Sequence, residues 1–165
     1  MLGSLQAELA EAHGLAIGAS AIAAAAERHL QSATERHHLR GMRRDAEETR
    51  ARCLAVELTY GARAADELRA HAIVVEHTIA DVIGTWMTAA TGPIGAWRLV
   101  IMGAAGEVAA WRSVRALAAH AAPDERAVGK LAAWALPVHE RHLQVALARA
   151  SALAATADRR APSWG

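Results

Sequence analysis

Apolar positions recur three and four residues apart along most of the chain. Leu39, Met42, Ala46, Cys53 and Val56 form one row, with Thr49 in its gap. Leu68, Ala72, Val75, Ile79, Val82 and Trp86 form a second, and Ile94, Trp97, Ile101, Ala104, Val108 and Trp111 a third. This is the period of an α-helix with one buried face, and no strand-like alternation interrupts it. Breaks stand at Tyr60-Gly61, Thr91-Gly92-Pro93 and Ala122-Pro123-Asp124. Pro93 suits the first turn of a following helix, and Asp124 suits a cap. Ser32-Ala-Thr-Glu35 has the spacing of a capping box and places the first break there, with Gly14, Gly18 and Ser20 as a rival position. The pattern predicts helices over 3–30, 33–59, 62–90, 94–121 and 124–157, then a flexible tail over 158–165 in which Trp164 is free to dock. Helices of this length run roughly 40 Å at 1.5 Å per residue. The expected fold is all-α, an antiparallel bundle of four to five long helices in a single domain over 1–157.

Composition narrows the partners more than the chemistry. Hydrophobic residues make up 53% of the 165 positions but aromatic ones only 4%, with no Phe, which favours close helix packing over a β-sandwich. Eighteen Lys and Arg stand against 17 Asp and Glu, a net charge of +1, so no uncompensated basic field for nucleic acid is expected. The arginines of 33–59 alternate with Glu35, Asp45, Glu47 and Glu48, as on a solvated face of i, i+4 pairs. Cys53 is the sole cysteine, which excludes an intrachain disulfide and fits a reducing cytoplasm. The N-terminal residues lack a basic segment before an apolar run, so a signal peptide is not expected. The apolar region Val82 to Trp97 is broken by Gly92-Pro93, and no transmembrane helix or membrane partner is expected.

Candidate chemistry lies where charges enter the apolar rows. Glu107 aligns with Val100, Gly103, Ala110 and Val114; Glu76 with Ile73, Ala80, Ile83 and Met87; Glu140 with Leu136, Leu143 and Leu147. Glu76 and Glu107 are 31 residues apart and Glu107 and Glu140 are 33, which returns the chain to one height in antiparallel helices. A carboxylate among apolar groups is unfavourable unless paired, protonated or bound to metal. His139 and His142 are i, i+3 on one helical face, a spacing that can clamp one metal ion, and Pro137 just ahead removes a helical hydrogen bond. Carboxylate and imidazole together suit iron or manganese, and zinc less distinctively. The candidate metal ligands are Glu107, Glu140, His139, His142, Glu76 and Glu48. The alternatives are a buried pair with Arg98, Arg112 or Arg141 for Glu107, with Arg69, His77 or water for Glu76, and a solvated face beside Arg44 and Arg52 for Glu48 and Asp45. Gly84, Gly95, Gly103 and Gly106 fall inside helices and suggest close helix approach or a small cavity beside Glu107.

With these residues in place, the chain resembles the ferritin-like di-iron carboxylate proteins. The stretch from Arg44 to Leu54 is similar to the second helix of a ferritin-like bacterial stress-protein group, and that from Gly106 to Leu117 to its third main helix. The resemblance implies a ferritin-like bundle, iron or manganese, oxidative or stress-related chemistry with oxygen or peroxide, and a homodimer or higher homo-oligomer. The ligand set departs from the family pattern. Ala51 and Arg52 stand where a histidine would follow Glu48, His139-x-x-His142 replaces Glu-x-x-His, and the first helix offers Glu8, Glu11 or His13 but only Gly18 and alanines at mid-height. A reduced or mononuclear centre, or a lost one that holds no metal, follows. Segment 62–90 would be the crossover between helix pairs. If it lines the interior, Glu76 meets Glu107 and Glu140; if it lies outside, Asp45 or Glu48 does. Two other readings stand beside this one. One is a non-catalytic bundle for oligomerisation or partner binding, with buried Glu–Arg or Glu–His pairs. The other is a haem or apolar-ligand protein with His139 or His71 as ligand.

Overall fold

The computed structural model describes residues 2–89, 92–122 and 125–158. Thr91, Pro123, Asp124 and Trp164, each given a role above, lie outside the described residues. Five long helices account for nearly all of the rest: α1 (Ser4–Glu27), α2 (Ala33–Glu57), α3 (Ala62–Ala89), α4 (Pro93–Ala118) and α5 (Arg126–Asp158), with one 3-10 turn at Leu58–Tyr60. Ser32 caps α2, its hydroxyl accepting from the Glu35 N–H at 3.5 Å. The Glu35 carboxylate does not close the box; it accepts from Trp97 Nε1 at 3.1 Å and ties α2 to α4. Gly61 and Gly92 turn the chain with φ of 85° and 91°, a region open to glycine at little cost. Helix α5 runs through Pro137, whose missing N–H leaves the carbonyl of the exposed Ala133 to solvent.

Helices α1, α2, α5 and α4 form a four-sided bundle in that order around its axis. The cross-helix pairs fix the directions. His13 meets Glu57 and Glu27 meets Arg40, so α1 and α2 are antiparallel. Thr49 meets His139 and His38 meets Arg149, so α2 and α5 are antiparallel as well. Glu107 beside His139, with Ala118 against Gly129, sets the same relation between α4 and α5. Helix α3 is not part of this square. It lies along the outside of α1, parallel to it, and is seated there by two glycines. A Cβ on Gly14 would fall 2.6 Å from the Ala72 carbonyl oxygen, and one on Gly18 would overlap the Ile79 side chain. Gly14 and Gly18 therefore mark a helix contact and not a break in the chain.

Two apolar clusters fill the bundle. One holds Leu9, Cys53, Val108, Trp111, Val114, Val128 and Leu131. The other holds Ile22, Leu39, Met42, Trp97, Leu99, Val100 and Ala146. On α2, α4 and α5 the residues between the clusters are polar, and they meet at one depth. Helix α1 is by length and composition apolar enough to cross a membrane, with a mean hydropathy of 1.4 over its best window. The expectation drawn from Val82 to Trp97 overlooked it, because its apolar content is mostly alanine. In the fold 61% of that window is buried inside the bundle, against α2, α3 and α4.

Candidate metal centre

The polar layer is built from three helices. Helix α4 supplies Glu107, α5 supplies His139 and His142, and α2 supplies Asp45 and Thr49. Glu107 is 2% exposed and His139 fully buried, and His142 is buried too. One ligand atom from each of Glu107, His139 and His142 lies within 4.8 Å of the others. The i, i+3 spacing puts both imidazoles on the inner face of α5, with their rings edge to face at 5.5 Å between centroids. Trp111 lies against His139 with ring centroids 6.3 Å apart and 9° between the ring planes.

Hydrogen bonds on α2 fix how the two rings are presented. The Thr49 hydroxyl donates to the Asp45 carbonyl at 2.7 Å. With that proton committed, Thr49 Oγ1 acts as an acceptor for His139 Nε2, 3.1 Å away. A neutral His139 then carries its proton on Nε2 and its lone pair on Nδ1. Likewise His142 Nε2 donates to the Asp45 carboxylate at 2.9 Å, leaving the lone pair of a neutral ring on Nδ1. Burial holds the His142 pKa below the ordinary histidine value, with the neighbouring His139 adding to the effect and Asp45 and Glu107 opposing it. This favours the neutral ring, the form that ligates metal.

His139 Nδ1 stands 3.2 Å from Glu107 Oε1. Both atoms are fully buried, and neither makes an aligned hydrogen bond. Two acceptors so placed require a cation, either a proton or a metal ion. Two donors on one first-row metal at about 2.1 Å each are themselves roughly 3.0–3.4 Å apart. The spacing is compatible with a shared metal and equally with an ion pair that lacks an aligned hydrogen bond. A second buried pair shows the contrast. His13 Nδ1 donates to Glu57 Oε1 at 2.6 Å, with both residues buried, and this bond is aligned. Cys53 lies between the two carboxylates, and burial together with Glu57 and Glu107 pushes its thiol pKa far up. It is not grouped with Glu107, His139 and His142 as a possible ligand.

Three of the six candidate ligands are elsewhere. Glu140 follows His139 by one residue, about 100° around the helix. It points outward and accepts from Arg112 at 2.8 Å, with 39% of its side chain exposed. Glu48 is exposed and pairs with Arg52 at 2.6 Å. Glu76 is half-buried on α3, in a groove with His13, Arg50 and Arg69, because α3 lies outside the square. The expectation that an outer α3 leaves Asp45 or Glu48 facing the site is met by Asp45 alone. Thr49, His13 and Glu57 complete the buried polar set. Each continues an apolar row at i+3 or i+4: Thr49 and Glu57 flank Cys53 on α2, and His13 follows Leu9 on α1. Thr49 and His13 were already visible in the sequence without an assigned role, and reading the α2 row one step past Cys53 would have found Glu57 as well.

A small cavity of about 20 Å³ adjoins Glu107 and His142, lined mainly by Ile22, Met42, Val100 and Gly103. It has room for one water-sized molecule and is far below the roughly 300 Å³ at which drug-sized pockets begin. That is too small for haem beside His139, and His71 is exposed, 3.6 Å from Glu11. Compared with known protein families, curated proteins and solved structures, the chain gives no significant match.

Proposed function

We propose that this protein binds one divalent metal ion through Glu107, His139 and His142, inside a bundle of ferritin-like path. The observation that carries the proposal is the buried, unaligned approach of Glu107 Oε1 and His139 Nδ1 at 3.2 Å. Two histidines and one carboxylate form a donor set suited to iron(II), manganese(II) or zinc(II). Such an ion, when bound, supplies Lewis acidity and, for iron or manganese, redox capacity. The chain's own residues do the rest. Thr49 and Asp45 hold both imidazoles in the tautomer that leaves the lone pair on Nδ1, the supporting role that hydrogen-bond partners play at many metal–histidine sites. Trp111 and the two apolar clusters exclude bulk water from the centre. The path, two antiparallel pairs linked by a full-length helical crossover, is the connection that ferritin-like bundles use, and it supports the resemblance. A single three-ligand cluster favours a mononuclear centre over a di-metal one.

Metal stoichiometry of protein purified without a histidine tag tests this reading. After loading with iron(II), manganese(II) or zinc(II) and removal of free ion, one equivalent is expected to stay bound. It should be lost in Glu107→Gln with His142→Gln and kept in Glu140→Gln. The alternative is a metal-free bundle whose buried Glu–His pairs fix helix register, as His13 and Glu57 do. It predicts no retained metal and unchanged stability in chelator.

A further inference from the structure

Helices α2 and α5 stand apart near the polar layer, and a cleft of about 180 Å³ opens between them. Its floor is Asp45 and His142, and Gly41 and Arg141 stand in its walls. It therefore runs from solvent to the outer face of the candidate centre. The charges along it are uneven. The Asp45 carboxylate accepts from the neutral His142 and keeps its negative charge on the floor, while the guanidiniums of Arg141 on the wall and Arg149 beside His38 are positive. His38 accepts from Arg149 at 2.8 Å, and burial and that guanidinium hold its pKa low, so it adds no charge of its own. Arg141 is exposed and forms no ion pair among the described residues. Its planar fork is a free, permanently charged donor set shaped for oxyanions. His37, also exposed, stands at the same rim.

We infer that this cleft is the port of the centre and that it binds a small oxyanion, a carboxylate or a phosphate, through Arg141. The inference rests on the metal-centre reading only for what the anion does after it binds. The volume admits an ion of acetate to phosphate size with accompanying water. Gly41 gives the port a removable wall. A Cβ there meets nothing nearer than an Arg44 guanidinium nitrogen at 4.0 Å. A leucine at this position enters the cleft without disturbing the backbone.

The test is a titration of metal-free protein with sodium acetate and, separately, sodium phosphate, at constant ionic strength set by chloride. The Arg141 Nε–H resonance and the backbone amides around Gly41, Asp45 and His142 are followed by NMR. Saturable shifts confined to these groups are expected with at least one anion. Saturation by acetate identifies a carboxylate port, and saturation by phosphate a phosphate port. Arg141→Gln should weaken binding at least tenfold, and Gly41→Leu should abolish it while the remaining spectrum stays folded. Shifts that chloride reproduces, a lack of saturation, or wild-type binding in either variant overturn the inference. Zinc added afterwards to the same sample reads the metal centre separately, so the two claims fail independently.

Discussion

Thr49 Oγ1 stands 3.1 Å from His139 Nε2 and gives its own proton to the Asp45 carbonyl 2.7 Å away, which turns the His139 lone pair toward Glu107. The residue that prepares the centre is thus a threonine on a different helix from any of the three ligands. Thr49→Val keeps the shape and removes the acceptor. His139 is then free to place its proton on Nδ1 and bond to Glu107. Metal affinity should fall by about 10–100-fold, the usual effect of losing an outer-shell partner. Thr49→Ser should restore most of it. Competition with a chromophoric chelator measures both, and equal affinity in wild type and Thr49→Val would refute the orienting role.

His13 and Glu57 carry a stability prediction. Removing one partner leaves a buried charge alone, which costs about 3–5 kcal/mol. His13→Leu should lower stability by that amount in urea unfolding. Replacing the pair by His13→Leu with Glu57→Met should recover most of the loss, because two apolar side chains need no partner. Equal loss in the single and double variants would mean that packing around His13, not the pair, is what matters.

The seating of α3 on α1 gives opposite signs for two glycine substitutions. Gly14→Ala forces a Cβ against the Ala72 carbonyl and Val75, and should destabilise by about 1–3 kcal/mol. Gly41→Ala meets open space inside α2 and should stabilise by up to about 1 kcal/mol. Thermal unfolding of both variants settles the sign.

Stability of the metal-free protein should depend on pH through His142. Its folded pKa lies below its unfolded value, near 6.5. As pH falls past that value the unfolded chain takes up a proton that the fold does not accept. Stability is therefore level above about pH 7.5 and declines below 6.5, by at most ~1.4 kcal/mol per pH unit for one group. It levels again once the folded ring also protonates. His38 contributes in the same direction, weakened by its solvent exposure. Urea midpoints between pH 8 and 5 should show this decline in wild type and a shallower one in His142→Gln.

Much of the fold was legible in the chain. The 3.6-residue period and the turns at Gly61 and Gly92 place the helices to within a few residues. Glu107, His139 and His142 also stood out as polar residues in apolar rows. What periodicity could not decide was which helix lies outside. That depends on Gly14 and Gly18, whose missing side chains admit α3 against α1, and such an absence reads equally well as a break. The same ambiguity put Glu76 among the candidate ligands. Glu140 was drawn in by its row and its height, yet one step along α5 from His139 turns it to Arg112 and solvent. Thr49 stood in its row as a gap without a role, and Glu57 was passed over, because a polar residue in a strongly charged helix draws little notice until the inner face is known.

The central claim is most directly tested at the histidine rings. The chain has nine histidines, and ¹⁵N spectra resolve the two nitrogens and the tautomer of each. One equivalent of zinc(II), used as a diamagnetic probe, should shift the Nδ1 signals of His139 and His142 alone, in slow exchange, with Nε2 of each ring remaining protonated. If the rings of His139 and His142 stay unchanged, or if zinc moves exposed histidines such as His37 and His71 instead, the buried cluster is not a metal site.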